Sequence, residues 1–260
     1  MRKATVFIRQ LGARICISLP PGCATSTSSY PRWDEYLPSV YGTNNFKFNA
    51  IPTGFRTYSV GNFLGVGGFV NTWTSTVSSA TRAYYISMDY RDNQVVTIAT
   101  IPFSEGKSVR GVKEYSGTAE DGTVFTSGSN IYTDGEGNVY NTVKIGEQLW
   151  TTQPLYTVKY QNGDAIANVT NNTTWKDLTT GAYCWYDNDY STYGQYYGAL
   201  YNWYAVDNGL ISGDGWSVPS NEAWEELINY IVGVNWCASV TTNNVARYLK
   251  SCRQVNHPLV

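Results

Sequence analysis

The sequence predicts an α+β fold of short antiparallel strands, two or three packed helices and many loops. Three observations point there. Residues 139–145 alternate apolar and polar and run through Gly146-Glu147 into Gln148-Leu149-Trp150, as a half-buried strand and hairpin do. Trp224, Leu227, Ile228 and Ile231 fall at i, i+3, i+4 and i+7, one apolar face of a helix. Turn formers run through the whole chain, with 24 Gly among 260 residues.

The elements follow in order. Residues 46–59 are turn-rich, with aromatic anchors at Phe46, Phe48, Phe55 and Tyr58, and residues 61–68 hold four glycines among apolar residues. Trp73, a Thr/Ser cluster and the stretch 83–90 come next, and residues 95–101 and 107–114 read as closing strands. Residues 115–129 are rich in Gly, Ser and Thr and suit a linker. Asp134-Gly135-Glu136-Gly137-Asn138 is a turn cluster. In the strand after it, Val139, Val143 and Ile145 share one face, and Tyr140, Thr142 and Lys144 the other. Asn162-Gly163 marks another tight turn. Residues 197–206 read as a buried helix with Leu200, Trp203 and Tyr204 in one stripe, ended by Asn208-Gly209. A second helix starts after Pro219, with Ser220 as its cap and Glu222, Glu225 and Glu226 near its positive end. A shorter one over 244–250 presents Val245, Tyr248 and Leu249. The chain has no full internal repeat.

The totals exclude several classes. A chain of 260 residues can form its own core without metal or disulfide staples. Charged residues are 15% of the chain, against roughly 25% in ordinary soluble domains. Aromatics reach 15%, with 22 Tyr and 9 Trp, so the surface is one of phenols, hydroxyls and amides. Tyr gives large contact area at low entropy cost, the chemistry of binding surfaces. A β-rich surface domain with no such role has the same composition. The net charge is −2 and no long basic run occurs, which argues against a nucleic-acid partner. No apolar run approaches the ~20 residues of a membrane span. Residues 1–22 read as a poorly structured leader. Met1-Arg2-Lys3 resembles a basic signal start and Leu19-Pro20-Pro21-Gly22-Cys23 a lipoprotein cleavage site, but Arg9 and Arg14 interrupt the apolar stretch between. The five Cys (Cys16, Cys23, Cys184, Cys237 and Cys252) include no C-x-x-C pair, and His257 is the one His. The usual zinc ligand sets are therefore missing, and no metal or cofactor is expected. The odd number leaves at least one thiol unpaired within the molecule.

Several segments carry a family resemblance. "GNVYNTVKIGEQLW", "NNTTWKDLTTGAYCWYDND", "YGALYNWYAV" and "GWSVPSNEAWEELINYI" resemble the opening two-thirds of the Fibrobacter succinogenes major paralogous domain. "FNAIPTGFRTYSVGNFLGVGGFVNTWTST", "SATRAYYISMDYRDNQV" and "GKSVRGVKE" resemble its closing third. The resemblance spans roughly residues 23–114 and 131–258 in swapped order, the closing part first. The chain is thus read as a leader (1–22), the family's closing half (23–114), a linker (115–130) and the opening half (131–260). The halves together make one circularly permuted domain; the competing explanation is a fragment of two tandem copies. Lectin-like folds bring first and last strands together, which makes such a join tolerable. Half-with-half pairing between molecules, a domain-swapped oligomer, is the alternative assembly. The resemblance places Cys23 near Cys252, where a disulfide can form in an oxidising compartment. Gly111 stands where the family's closing strand has a Cys.

The resemblance implies a C-type-lectin-like fold, related in architecture to the formylglycine-generating enzymes, without implying their chemistry. That chemistry uses reactive cysteines, and none lies in residues 61–114. Two enzymatic alternatives remain: a Cys252–His257 nucleophile, or Asp187 and Asp189 flanking a sugar or, with Asn188, holding calcium. A solvated turn is the plainer reading of the Asp pair. The most suggestive stretch is 83–93, which gives the candidate ligand-binding residues Tyr84, Tyr85, Met88, Tyr90, Arg91, Asp92 and Asn93, with Trp73 in the core beneath. Its residue types resemble the variable proteins of diversity-generating retroelements, which use rigid Tyr anchors with adaptable polar neighbours. A plain strand with Tyr85, Ser87 and Asp89 on one face is the competing reading. The expected function is non-enzymatic binding or display of a protein or glycan ligand at a bacterial or phage surface. An enzyme, and a structural domain or incomplete fragment, are the alternatives. The expected location, from the resemblance, is extracellular or the cell surface.

Overall fold

A five-stranded sheet occupies the first half of the chain. Its strands are β1 (Thr53–Arg56), β2 (Phe63–Val66), β3 (Phe69–Ser79), β4 (Arg82–Asp89) and β5 (Val95–Pro102), in the order β2-β1-β3-β4-β5. All neighbours are antiparallel except β1 and β3. The computed structural model describes residues 31–34, 37, 41–210, 213–234 and 244–252. The leader 1–22, Cys16, Cys23, Cys237 and His257 lie outside the described residues.

The remaining strands are short. They are β6 (Val112–Glu114), β7 (Val124–Phe125), β8 (Tyr132–Thr133), β9 (Val139–Tyr140), β10 (Thr142–Ile145), β11 (Gln148–Thr151), β12 (Ala167–Asn168), β13 (Ala182–Cys184) and β14 (Leu200–Tyr201). They form a four-stranded sheet β6-β11-β10-β7, a three-stranded sheet β12-β13-β14 and the pair β8-β9. The expected hairpin is present, with Val143 opposite Trp150 and Ile145 opposite Gln148. Val112 of the first half lies opposite Trp150 of the second, so the two sequence segments share a sheet.

The helices are α1 (Asn172–Lys176), α2 (Gln195–Tyr197), α3 (Trp203–Asp207), α4 (Asn221–Gly233) and α5 (Val245–Leu249). The last two follow the expected pattern. The Ser220 side chain caps α4 by accepting from the Ala223 N–H, and Trp224, Leu227, Ile228 and Ile231 are buried. Val245, Tyr248 and Leu249 of α5 are buried as well. With mixed strands and helices, the fold class is α+β.

Four local expectations need correction. The helix read over 197–206 is broken, because Leu200 and Tyr201 are a strand paired with β13. The Tyr201 carbonyl accepts from both the Trp73 indole N–H and the Lys107 backbone N–H, which holds it extended. Helix α3 starts only after Asn202, whose side chain accepts from the Ala205 N–H. The strand read over 139–145 is two strands in two sheets. Tyr140 is buried and Val139 is half exposed, the reverse of the simple alternation, because both pair with β8 before the chain turns at Asn141. The segment 115–130 is more than a tether. β7 pairs with β10, and the Asp121 carboxylate accepts from Lys144 Nζ, the Gly146 N–H and the Tyr230 hydroxyl. Of residues 107–114, only Val112–Glu114 is a continuous strand, and Lys107 and Ser108 make single bridges to Tyr201 and Thr72.

Two large apolar clusters flank the five-stranded sheet. Val70, Ile86 and Met88 pack with Trp150, Trp224, Ile231 and Leu249 on one side. Trp73 and Ala83 pack with Tyr140, Leu149, Tyr201 and Trp203 on the other. Both clusters draw on residues before and after the 115–130 segment. Arg110 is buried beside the first of them, and its guanidinium donates to the carbonyls of Phe48, Asn49 and Thr151. Burial pushes this group down to about 9, still charged at neutral pH. Three charge-assisted bonds offset its desolvation.

Candidate functional site

The candidate stretch is strand β4 and the tip that joins it to β5. Successive side chains of a strand point to opposite faces, so it cannot present every residue to solvent. Ile86 and Met88 point into the core and are fully buried. Met88 therefore offers no surface to a ligand, a correction that follows from the cluster of α4 and α5 side chains on that side of the sheet. Tyr84 and Tyr85 are both half-buried. The Tyr85 ring lies 3.9 Å from the Lys107 ammonium. Trp73 is buried beneath, opposite Tyr85 in the β3–β4 register.

The tip is held from below. Lys250, at the end of α5 and only 1% exposed, donates through Nζ to the carbonyls of Asp89 and Asp92. The Ala246 N–H donates to the Asn93 carbonyl at 2.9 Å. Asp92 Oδ1 accepts from the Gln94 N–H, closing the turn. Burial pushes the Lys250 ammonium down to about 8, with Asp92 and Asp89 opposing the shift. It stays charged at neutral pH. On the outer side Arg91 pairs with Asp89 at 2.7 Å and lies over the Phe69 and Tyr90 rings. The candidate set thus divides. Arg91 and Asp92 are exposed, Tyr84, Tyr85, Tyr90 and Asn93 are half-buried, and Met88 is core.

Two groups beside this site were not singled out in the sequence. Lys107 and Glu105 are buried, 3.6 Å apart, with Phe55, Trp73 and Tyr85 around the ammonium. Glu105 Oε2 also accepts from the Tyr58 N–H. Burial holds the Glu105 carboxyl above its ordinary range and brings Lys107 down to about 8, each partner opposing the other's shift. The signal was a Glu-Gly-Lys triplet whose two charges fall on one side of an extended chain. Lys250 gave no signal, because only the tertiary fold brings it under a turn 158 residues away.

The groups weighed for chemistry sit in different surroundings. Asp189 Oδ1 accepts from the Ser191 hydroxyl and the Thr192 N–H, which pull its carboxyl down to about 2. Asp187 moves the opposite way through burial and the nearby Asp189. Cys184 is a buried free thiol pushed up to about 12 by burial, against the pull of Arg56. Such a thiol is a poor nucleophile. Cys252 is disulfide-bonded, while the Cys23 expected beside it and His257 fall outside the described residues. Among the described residues no three His, Cys, Asp or Glu side chains group to hold a metal ion. No helix among them is long and apolar enough to cross a membrane.

Residues 143–257 match the family model of the Fibrobacter succinogenes major domain. The match covers β11 to β14 and all five helices, the part in which the opening-half motifs stand. No curated protein and no solved structure matches the chain.

Proposed function

We propose that the chain is a non-enzymatic binding and display module of a bacterial or phage surface, engaging a protein or glycan through the β4–β5 tip. The observation that carries this reading is the clamp. Lys250 and Ala246 fix the tip backbone from the core side, while Arg91 and Asp92 are exposed and Tyr90 is half-buried beside them. Recognition by rigid aromatic anchors with polar neighbours loses little entropy on binding. The same reading takes the fold as C-type-lectin-like with its halves permuted. Its support is the pairing of Val112–Glu114 with β11 and the bridge from Ala50 to Lys250, which join the closing and opening segments. The test is a printed array of defined glycans and of bacterial surface proteins, probed with the labelled chain. Binding to some spots is expected, weakened about tenfold or more in a Tyr90→Ala, Arg91→Ala double variant, as loss of hot-spot residues implies. Binding untouched by both changes, or absent throughout, overturns the proposal. Size-exclusion chromatography of the same sample separates a monomer from a domain-swapped dimer.

A further inference from the structure

We propose that a second surface, the aromatic ledge formed by Tyr156, Trp185 and Tyr190, is a saccharide-binding platform separate from the β4–β5 tip. The ledge is built from the chain upward. Strand β13 runs out into Trp185, and the turn after it brings Tyr190 back against that indole, with ring centroids 4.9 Å apart and planes at 61°. On the strand side, Tyr183 meets the same indole edge-on at 5.3 Å. Tyr156 is held by the Tyr140 ring at 4.9 Å, and its backbone N–H donates to the Tyr140 hydroxyl. Tyr190 is 51% exposed, and Trp185 and Tyr156 are each partly exposed, so ring surface remains open to solvent.

Gly194 makes this arrangement possible. A Cβ there would lie 2.7 Å from Tyr190 Cδ2 and 2.8 Å from Trp185 Cε3, closer than real side chains come. Its φ of −56° is ordinary, so the absence of a side chain answers to the two rings and not to the backbone. Both rings can therefore close directly over the Gly194 backbone.

The rim supplies hydrogen bonding. Glu136 Oε2 accepts from the Val158 N–H and the Asn138 side chain, while Oε1 takes no bond among the described residues. The exposed Asn168 lies opposite Tyr183 in the β12–β13 register. Glu136 also lies close enough to Tyr156 and Tyr183 to raise both hydroxyls' pKa values, though burial is the larger cause. A sugar ring matches this chemistry. Its C–H face carries slight positive charge and stacks on the negative face of an aromatic ring, while its hydroxyls pair with a carboxylate and an amide at the edge. Size decides between a sugar and a protein. One half-exposed ring and two partly exposed ones offer at most about 300 Å², well short of the ~800 Å² per partner of a stable protein interface.

The test is native gel electrophoresis through gels containing xylan, mixed-linkage β-glucan, galactomannan or pectin, with a protein-coated bead panel alongside. Wild type is expected to be retarded by at least one polysaccharide. Tyr190→Ala and Trp185→Ala should lose that retardation by about tenfold or more in apparent affinity, while Trp185→Phe keeps most of it. Because Tyr190 is largely exposed, its variant keeps the test valid should Trp185→Ala fail to fold. Arg91→Ala leaves the retardation unchanged if the ledge is responsible; if that variant abolishes it and the ring variants do not, the tip is the sugar site and the ledge proposal falls. No retardation in any gel, or capture by a protein bead that depends on Tyr190, also overturns it.

Discussion

The β4–β5 tip and the segment 183–197 use nearly the same residue types, Tyr, Asn, Asp and Ser, and make different surfaces from them. At the tip a regular strand sends alternate side chains inward, so Met88 is lost to the core and the exposed edge is charged, with Arg91 on Asp89. In 183–197 the strand lasts only three residues before tight turns take over, with Asp187 and Asn188 at positive φ. There the aromatic rings gather on one another, Tyr190 on Trp185 and Tyr193 on Tyr186. The tip is anchored by a buried cation, and the ledge closes over a position without a side chain. Composition alone therefore does not say what a Tyr-rich stretch presents; backbone periodicity does.

The largest expected effect breaks the tip. Lys250→Met leaves the Asp89 and Asp92 carbonyls without their charged donor and should lower stability by about 3 kcal/mol, the scale of two such bonds. Urea unfolding checks this. Amide exchange should quicken at residues 89–94 and not at 183–197. The matching change in the ledge is Gly194→Ala, which must displace two rings and should cost about 1–3 kcal/mol, as overpacking does. Its mark is an altered near-ultraviolet circular dichroism signal from Trp185 with the tip's exchange unchanged.

Alkaline pH sharpens the contrast further. Lys250 has its pKa lowered to about 8 from an ordinary 10.5, so between those values the unfolded chain binds more protons than the folded one. Stability therefore rises with pH in that window. The deeply buried Lys107 shifts in the same direction, with Glu105 opposing it. From about pH 10 upward the sign reverses, because unfolded tyrosines ionise while burial keeps Tyr140 and Tyr201 protonated. Urea midpoints should thus rise from pH 7.5 to about 9.5 and then fall, and Lys250→Met should flatten the rise. A steady decline from pH 7.5 would contradict the burial of these ammonium groups. The smallest effect is that of Arg91→Ala. Its ion pair with Asp89 is half exposed, so stability should change by about 0.5 kcal/mol or less.

Elements with strong local signals were legible from the sequence. The α4 stripe, its Ser220 cap, the α5 apolar residues and the β10–β11 hairpin all stand where periodicity placed them. What failed was decided by distant partners. Leu200 and Tyr201 have helical neighbours in sequence, yet Trp73 and Lys107 draw the Tyr201 carbonyl into extended structure. Asp121 looked like one polar residue in a Gly-rich tether, and its three donors come from the β10–β11 hairpin and α4. Of the candidate site, the stretch could be picked out by composition. Its division into outward and inward residues needed to know which face of β4 the helices cover. The clamp beneath it was out of reach of any local pattern.

The hold that Lys250 keeps on the tip also orders events during synthesis. The residue that locks the Asp92 carbonyl lies 158 positions downstream. At ordinary ribosomal speeds that gap is on the order of ten seconds or more, during which β4 and β5 exist without their anchor. Until α5 emerges, the turn between β4 and β5 therefore has no charged donor on its Asp89 and Asp92 carbonyls.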